Sequence, residues 1–194
     1  LADTGQLANT LVVFTSDQGY AWGEHGFIKK VAPYDANIRA PLIVSQSGTI
    51  PAGRTIESPI DGLSLIPTFF ARAGISLPWR MHGRDLSALI TGAVDDWPHP
   101  VVVSYTGWTY GKDTLVIPPD GMDGHGRLSN VPWYVLLRAG RYKYVRTYVA
   151  NETEELYDLQ SDPAELHNLV DRPDQATRLV ALRSTAVAEL QRTE

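Results

Sequence analysis

The chain has 194 residues, 43% of them hydrophobic and 20% charged, with a formal net charge of −5 and no cysteine. That length allows one substantial core, or a core with a small appendage. The acidic balance argues against nucleic acid and anionic membranes as partners, the missing cysteines exclude disulfides and thiolate–metal sites, and no apolar run approaches the length of a membrane span.

Leu1–Thr10 (LADTGQLANT) reads as the end of a helix and carries no leader pattern, so the chain is expected to begin inside a larger domain. Leu11-Val12-Val13-Phe14 reads as a strand buried on both faces. It breaks into Thr15-Ser16-Asp17-Gln18-Gly19, an acid and an amide at the carboxyl end of a strand, where open α/β sheets place their ligands. Glycines 19, 23 and 26 let the next backbone fold tightly, and Lys29, Lys30 and Pro33-Tyr34 follow. Oxygen ligands for a hard cation, with a lysine able to reach the same anion, point to a site for a sulfate or phosphate ester.

Pro41–Ser45 reads as a second buried strand, and Gly48–Arg54 as a turn. Asp61–Gly74 reads as a helix capped by Asp61 or Ser64, with Pro67 near its first turn, Gly74 past its end, and Leu63, Ile66, Phe70 and Ala73 on one apolar face. The strand–loop–strand–helix order favours an α/β layer arrangement. Ser76–Gly92 is a loop running into a short helix, and Val101–Ser104 a short strand. Tyr105–Pro132 is a long irregular stretch of the kind that is usually functional or disordered, and its aromatics Tyr105, Trp108 and Tyr110 argue against simple disorder.

Tyr134–Arg138 and Arg141–Val149 form a hairpin signal around Ala139-Gly140, and Glu155–Leu159 adds a third strand. Pro173–Arg192 reads as a helix with a stripe of Ala176, Leu179, Val180, Ala186, Val187 and Leu190. Tyr142, Tyr144 and Tyr148 are expected to pack between the small sheet and this helix, and Glu154-Glu155 and Asp171-Arg172 to form a solvated surface. Asp120 and Asp123, within DGMDG, favour an Asx-turn loop over a second calcium site.

Taken together, NTLVVFTSDQG, GEHG, Lys30 with Tyr34 four positions on, RAPLIV, IDGLSLIPTFFARAGI, HGRDL, GRYKYVR and ELYDLQSDPAELHNL resemble the sulfatase family of the alkaline-phosphatase-like superfamily. The resemblance runs from Asn9 to about Leu169 and matches only the C-terminal part of such enzymes. It implies an α/β fold: the C-terminal part of a three-layer α/β/α domain with a long substrate-side loop (1–132), then a small antiparallel sheet packed on a C-terminal helix (133–194).

Similar enzymes hydrolyse sulfate esters with calcium and a formylglycine made from a Cys/Ser-x-Pro-x-Arg motif. The hydrated aldehyde attacks sulfur, the metal and cationic groups hold the sulfate oxygens, and a histidine or lysine helps the leaving group. The resemblance places two Ca2+ ligands at Asp17 and Gln18, and the sulfate-binding lysine at Lys30, which the spacing to Tyr34 selects over Lys29. It makes His25 a candidate catalytic group beside the leaving group, while a hydrogen-bonded structural histidine stays open for it. His125, in the long loop, becomes a candidate substrate-binding residue.

The family's nucleophile motif lies upstream of the matched region. Ser76-Leu77-Pro78-Trp79-Arg80 fits its pattern formally but sits in a variable loop with a bulky Trp79, and reads as a proline-held turn with Trp79 packed beside it. The chain thus holds about half an active site. Its expected partners are a sulfated small molecule or sulfated carbohydrate, and either the missing N-terminal half of the enzyme or a second copy. Related sulfatases are periplasmic, secreted or lysosomal, and the compartment here stays open. Two other readings remain: a phosphodiesterase or phosphonate monoester hydrolase of the same superfamily, and a stand-alone non-catalytic binding module.

Overall fold

The computed structural model describes residues 1–115, 127–128, 131–148 and 154–193. In chain order its elements are β1 (Val12–Thr15), β2 (Ala21–Trp22), β3 (Ile28–Lys29), α1 (Asp35–Ile38), β4 (Leu42–Ser45), α2 (Leu65–Ala73), α3 (Ser87–Thr91), β5 (Val101–Tyr105), β6 (Arg127–Leu128), β7 (Val131–Pro132), β8 (Tyr134–Ala139), β9 (Tyr142–Thr147), β10 (Glu155–Asp158) and α4 (Ala176–Arg192). They gather into two compact units, one of residues 1–17 and 40–99, the other of 18–39 and 100–194.

In the first unit β1 pairs antiparallel with β4, Phe14 lying opposite Ile43. Both strands were expected to be buried, yet Phe14 is 61% and Ile43 63% exposed. β-branched and aromatic composition favours the extended backbone. Burial needs a covering layer as well: Val44, on the opposite face, packs against Leu86, Leu89 and Ile90, while the described residues leave the face of Phe14 and Ile43 open.

The helix forms where its caps predict. Asp61 Oδ1 accepts hydrogen bonds from the Ser64 backbone N–H and hydroxyl, both at 2.8 Å. A 3-10 turn over Gly62–Ser64 runs into α2, which ends at a left-handed Gly74. The buried face differs from the expected one. Leu63, Ile66 and Ala73 are exposed and Phe70 is half-buried, while Ser64, Pro67 and Thr68 are covered. Hydrogen bonding decides this: the Thr68 hydroxyl donates to Ser64 O at 2.6 Å and accepts from Leu86 N–H at 2.9 Å, and Ser64 Oγ accepts from Arg84 N–H at 3.0 Å. The polar side of the helix thereby satisfies backbone groups of residues 84–86, which would otherwise be costly to bury. The unit's core is Leu86, Leu89 and Ile90, with Val44, Ile50, Ile56, Ile60 and Trp97 against it. Trp79 is exposed rather than packed.

The second unit is built on a four-stranded antiparallel sheet in the order β10-β9-β8-β5. Its edge strand β5 comes from the part of the sequence grouped above with the α/β portion. β8 is internal and buried from Tyr134 to Leu137, because both of its faces are covered. One face packs Val135, Leu137, Tyr144 and Leu156 on Leu179, Leu182 and Ala186 of α4, with Tyr142 and Tyr148 at the margin. The three tyrosines therefore pack between sheet and helix, as read. The helix turns a slightly different stripe inward, since Val180 and Val187 are exposed. At about 100° per residue, each stands roughly a quarter turn away from its buried neighbour.

The other face carries Val131, Tyr134, Leu136 and Val145 against Ala32, with Phe27, Val31, Tyr34 and Ile38 beside them. Thus the segment bearing Lys30 is laid on the second face of this sheet. Glu154 and Glu155, expected as solvated surface, are knitted into the unit. Glu154 accepts from the Tyr144 hydroxyl at 2.5 Å and from Arg183, and Glu155 from the hydroxyls of Tyr157 at 2.7 Å and Tyr34 at 3.4 Å. Phenol donors make the difference: Tyr144 from β9, Tyr34 from the start of α1 and Tyr157 from β10 itself. No helix among the described residues is long and apolar enough to cross a membrane.

Candidate functional site

Asp17 and Gln18 follow β1 after Ser16, Asp17 exposed and Gln18 half-buried. Asp17 belongs to the first unit and Gln18 to the second. A carboxylate and an amide carbonyl are the donor types that a hard cation takes. Among the described residues there is no cluster of three or more His, Asp or Glu able to hold a metal. The pair therefore fits calcium in kind, while a full shell of six to eight oxygens requires ligands beyond it.

Gly19 is required by close approach. A Cβ there would stand 2.3 Å from Ala36 O and 3.0 Å from Arg39 O. The chain then forms the β2–β3 hairpin, with Ala21 opposite Lys29 and Trp22 opposite Ile28. Trp22 is 80% exposed. Within the hairpin's loop the Trp22 N–H, donating to Glu24 at 2.5 Å, holds the Glu24 carboxyl below the usual carboxylate range.

His25 sits in this loop with a left-handed backbone, φ +53°. Its ring stacks on Tyr34, centroids 3.7 Å apart, and Nε2 lies 2.9 Å from Ala164 O. One imidazole nitrogen and one face are thereby engaged.

Lys30 is half-buried and flanked by two strained residues, Lys29 at φ +76° and Val31 at φ +85°. Alternate residues of this segment are anchored. Asn37 Nδ2 donates to Lys29 O at 2.7 Å, the Tyr134 hydroxyl donates to Val31 O at 2.9 Å, and Lys143 Nζ donates to Pro33 O at 3.3 Å. Glu165 Oε2 accepts the Asp35 N–H at 2.6 Å. Lys143 is fully buried, its ammonium 2.5 Å from both Asp35 and Glu165. Burial pushes the Glu165 carboxyl up, with Lys143 opposing. Burial, with Tyr105 alongside, raises the Tyr134 phenol far above its ordinary value and keeps it a donor.

Sequence reasoning singled out His25, Lys30 and Tyr34, which share this segment, and missed Asn37, Tyr134, Lys143 and Glu165. Only Lys143 left a signal: it alternates with Tyr142 and Tyr144 in a strand whose other face also had to be covered. His125, Asp120 and Asp123 lie outside the described residues.

The sequence profile of the family described as N-sulphoglucosamine sulphohydrolase, C-terminal, matches residues 23–121 and 126–192. The choline-sulfatase of Rhizobium meliloti is 33% identical over 196 residues, covering 97% of this chain and 33% of its own length. The N-acetylglucosamine-6-O-sulfatase of Bacteroides thetaiotaomicron is 28% identical over 181 residues, covering 92% and 29%. A structure solved in complex with its substrate D-glucosamine-2-N,6-O-disulfate superposes with a TM-score of 0.81 at 26% identity, covering 100% of this chain and 36% of that one. The phosphonate monoester hydrolase of Agrobacterium radiobacter superposes with a TM-score of 0.77 at 25% identity, covering 100% and 37%. The chain spans about a third of the length of these relatives. With the profile matched along most of its length and the small sheet and terminal helix in place, the chain belongs to the sulfatase family of the alkaline-phosphatase-like superfamily and corresponds to its C-terminal portion.

Proposed function

We propose that this chain is the C-terminal portion of a calcium-dependent, formylglycine-type sulfatase, and that it contributes electrostatic groups to sulfate-ester hydrolysis. The observation that carries the reading is the likeness to sulfatases along 92% to 100% of the chain, a span that takes in Asp17, Gln18 and Lys30. Asp17 and Gln18 supply two oxygen ligands to the cation. The Lys30 ammonium neutralises charge on the sulfuryl oxygens as the bond from sulfur to the leaving oxygen breaks; removal of one such preorganised contact typically costs ~10²–10³ in rate. Formylglycine, carried by polypeptide beyond this chain, supplies the nucleophile. The contacts of His25 with Tyr34 and Ala164 favour a supporting role for it over proton transfer.

A sulfated carbohydrate is the favoured substrate class, supported by the sulfated glucosamine bound in the superposed structure and by the named activity of the Bacteroides relative. Phosphonate monoester hydrolysis is the second reading, favoured by the TM-score of 0.77 to such an enzyme. Sulfate and phosphate esters share tetrahedral geometry, so substrate comparison separates the two. On the native protein that carries this chain, kcat/KM for an aryl sulfate is expected to exceed that for an aryl phosphonate or phosphate diester, to vanish on chelation and to return with calcium. A reversed preference would install the second reading, and full activity in chelator would remove the metal.

A further inference from the structure

The backbone around Lys30 is held in a conformation it would not adopt by itself. Lys29 at φ +76° and Val31 at φ +85° are both left-handed, and Lys30 lies between them. For a β-branched residue such as Val31 that is a genuine outlier. Strain of this kind persists only where the surroundings over-determine it, and it gathers at sites where geometry matters.

Here the surroundings are two side-chain donors, one for each strained residue. Asn37 Nδ2 takes the Lys29 carbonyl at 2.7 Å, and the Tyr134 hydroxyl takes the Val31 carbonyl at 2.9 Å. Asn37 is 0% exposed and Tyr134 3%. The second polar atom of Asn37, Oδ1, has no hydrogen-bond partner among the described residues. A buried amide is unfavourable unless its bonds are made, so what this amide achieves is its bond to Lys29. The Tyr134 ring packs on Tyr105, centroids 5.2 Å apart, which fixes the direction of its hydroxyl.

We propose that Asn37 and Tyr134 are positioning residues. Each grips one carbonyl beside Lys30, and together they hold the left-handed turn that presents Lys30 to the sulfuryl group. The proposal rests on the reading of Lys30 as the sulfate-binding lysine, and it names the parts that make that lysine preorganised rather than mobile. Misplacement of a catalytic contact by about 1 Å is enough to cost on the order of 10²-fold.

The test is a double-mutant cycle on the native protein that carries this chain, with an aryl sulfate as probe. Asn37→Ala and Tyr134→Phe are measured alone and combined with Lys30→Ala, with thermal midpoints alongside. Tyr134→Phe removes one hydroxyl and keeps the ring, so it serves if Asn37→Ala does not fold. Each single variant is expected to lower kcat roughly 10- to 100-fold with little change in KM. In the Lys30→Ala background the same substitution is expected to cost less than about threefold, since a lysine that is gone cannot be misplaced. Losses that multiply in full in that background would overturn the proposal, as would a folded Tyr134→Phe with unchanged kcat. A Lys30→Ala variant with wild-type kcat would instead remove the underlying reading of Lys30, an outcome read from a different member of the cycle.

Discussion

At the scale of single residues the most consequential side chain is Lys143, a charged group with no exposure. Its ammonium lies 2.5 Å from Asp35 and 2.5 Å from Glu165, and also reaches Pro33 O. Removing one partner of a buried ion pair leaves the others charged and unsatisfied, at a typical cost of about 3–5 kcal/mol. Lys143→Met is therefore expected to destabilise the protein by that amount in denaturant unfolding. Adding Glu165→Gln should recover part of the loss, because one stranded carboxylate is then gone. A Lys143→Met variant as stable as wild type would contradict the assignment of this cluster as the anchor of the 29–35 segment. Beyond the alternation that places Lys143 on the second face of its strand, the partners of these anchors could not be read from the sequence. Tyr134 and Val31 stand 103 positions apart, and Lys143 and Pro33 110. Local pattern carries no information at that range, whereas Asp17, Gln18 and Lys30 are candidates because their short strings stand together in an order that resembles a family, not because any one string is specific.

At the scale of elements, α4 is docked by apolar contact and pinned by one carboxylate. Glu154 accepts from Tyr144 on β9 and from Arg183 on α4. Burial works against the Glu154 charge. The hydrogen bonds from Arg183 and Tyr144, with the charges of Arg183 and Arg146, outweigh it and hold the carboxyl below the usual range. Asp158 is depressed too: burial opposes its charge, and the hydrogen bond from Arg141 prevails. A group whose folded value is depressed binds fewer protons in the folded state. Its contribution is complete above the ordinary carboxylate range and is lost as pH falls through the folded value. The thermal midpoint should accordingly drop as the pH falls below the ordinary carboxylate range, and Glu154→Gln should lower it at pH 7 while flattening that drop. An unchanged acid limb in Glu154→Gln would show that the pin does not carry the pH dependence.

Elements themselves were legible, because caps and period are local. Asp61 and Gly74 bound the helix of the first unit as read, and the hairpin forms where it was read with its turn one residue later, at Gly140-Arg141, since Ala139 still pairs with Tyr142. Faces were less legible. α2 rests on Ser64, Pro67 and Thr68 because backbone groups of residues 84–86 needed partners, a demand that lies outside its own sequence. The strand Leu11–Phe14 has the composition of a buried strand, but nothing described covers Phe14.

At the scale of the whole molecule that exposure has a consequence. Phe14 and Ile43 face each other across β1 and β4, 61% and 63% exposed, on a two-stranded sheet with open edges. Exposed apolar faces and strand edges drive association. The chain produced alone is expected to self-associate in sedimentation, and the double substitution Phe14→Lys, Ile43→Lys to shift it toward monomer. A wild-type chain that stays monomeric at every concentration would contradict this.

The central claim is that Lys30, held in its strained turn, stabilises the transferring sulfuryl group. The measurement that tests it most directly is steady-state hydrolysis of an aryl sulfate by the native protein and its Lys30→Ala variant. A loss of ~10²–10³ in kcat/KM with an unchanged thermal midpoint is the predicted result, and a folded variant that turns over at the wild-type rate would contradict it.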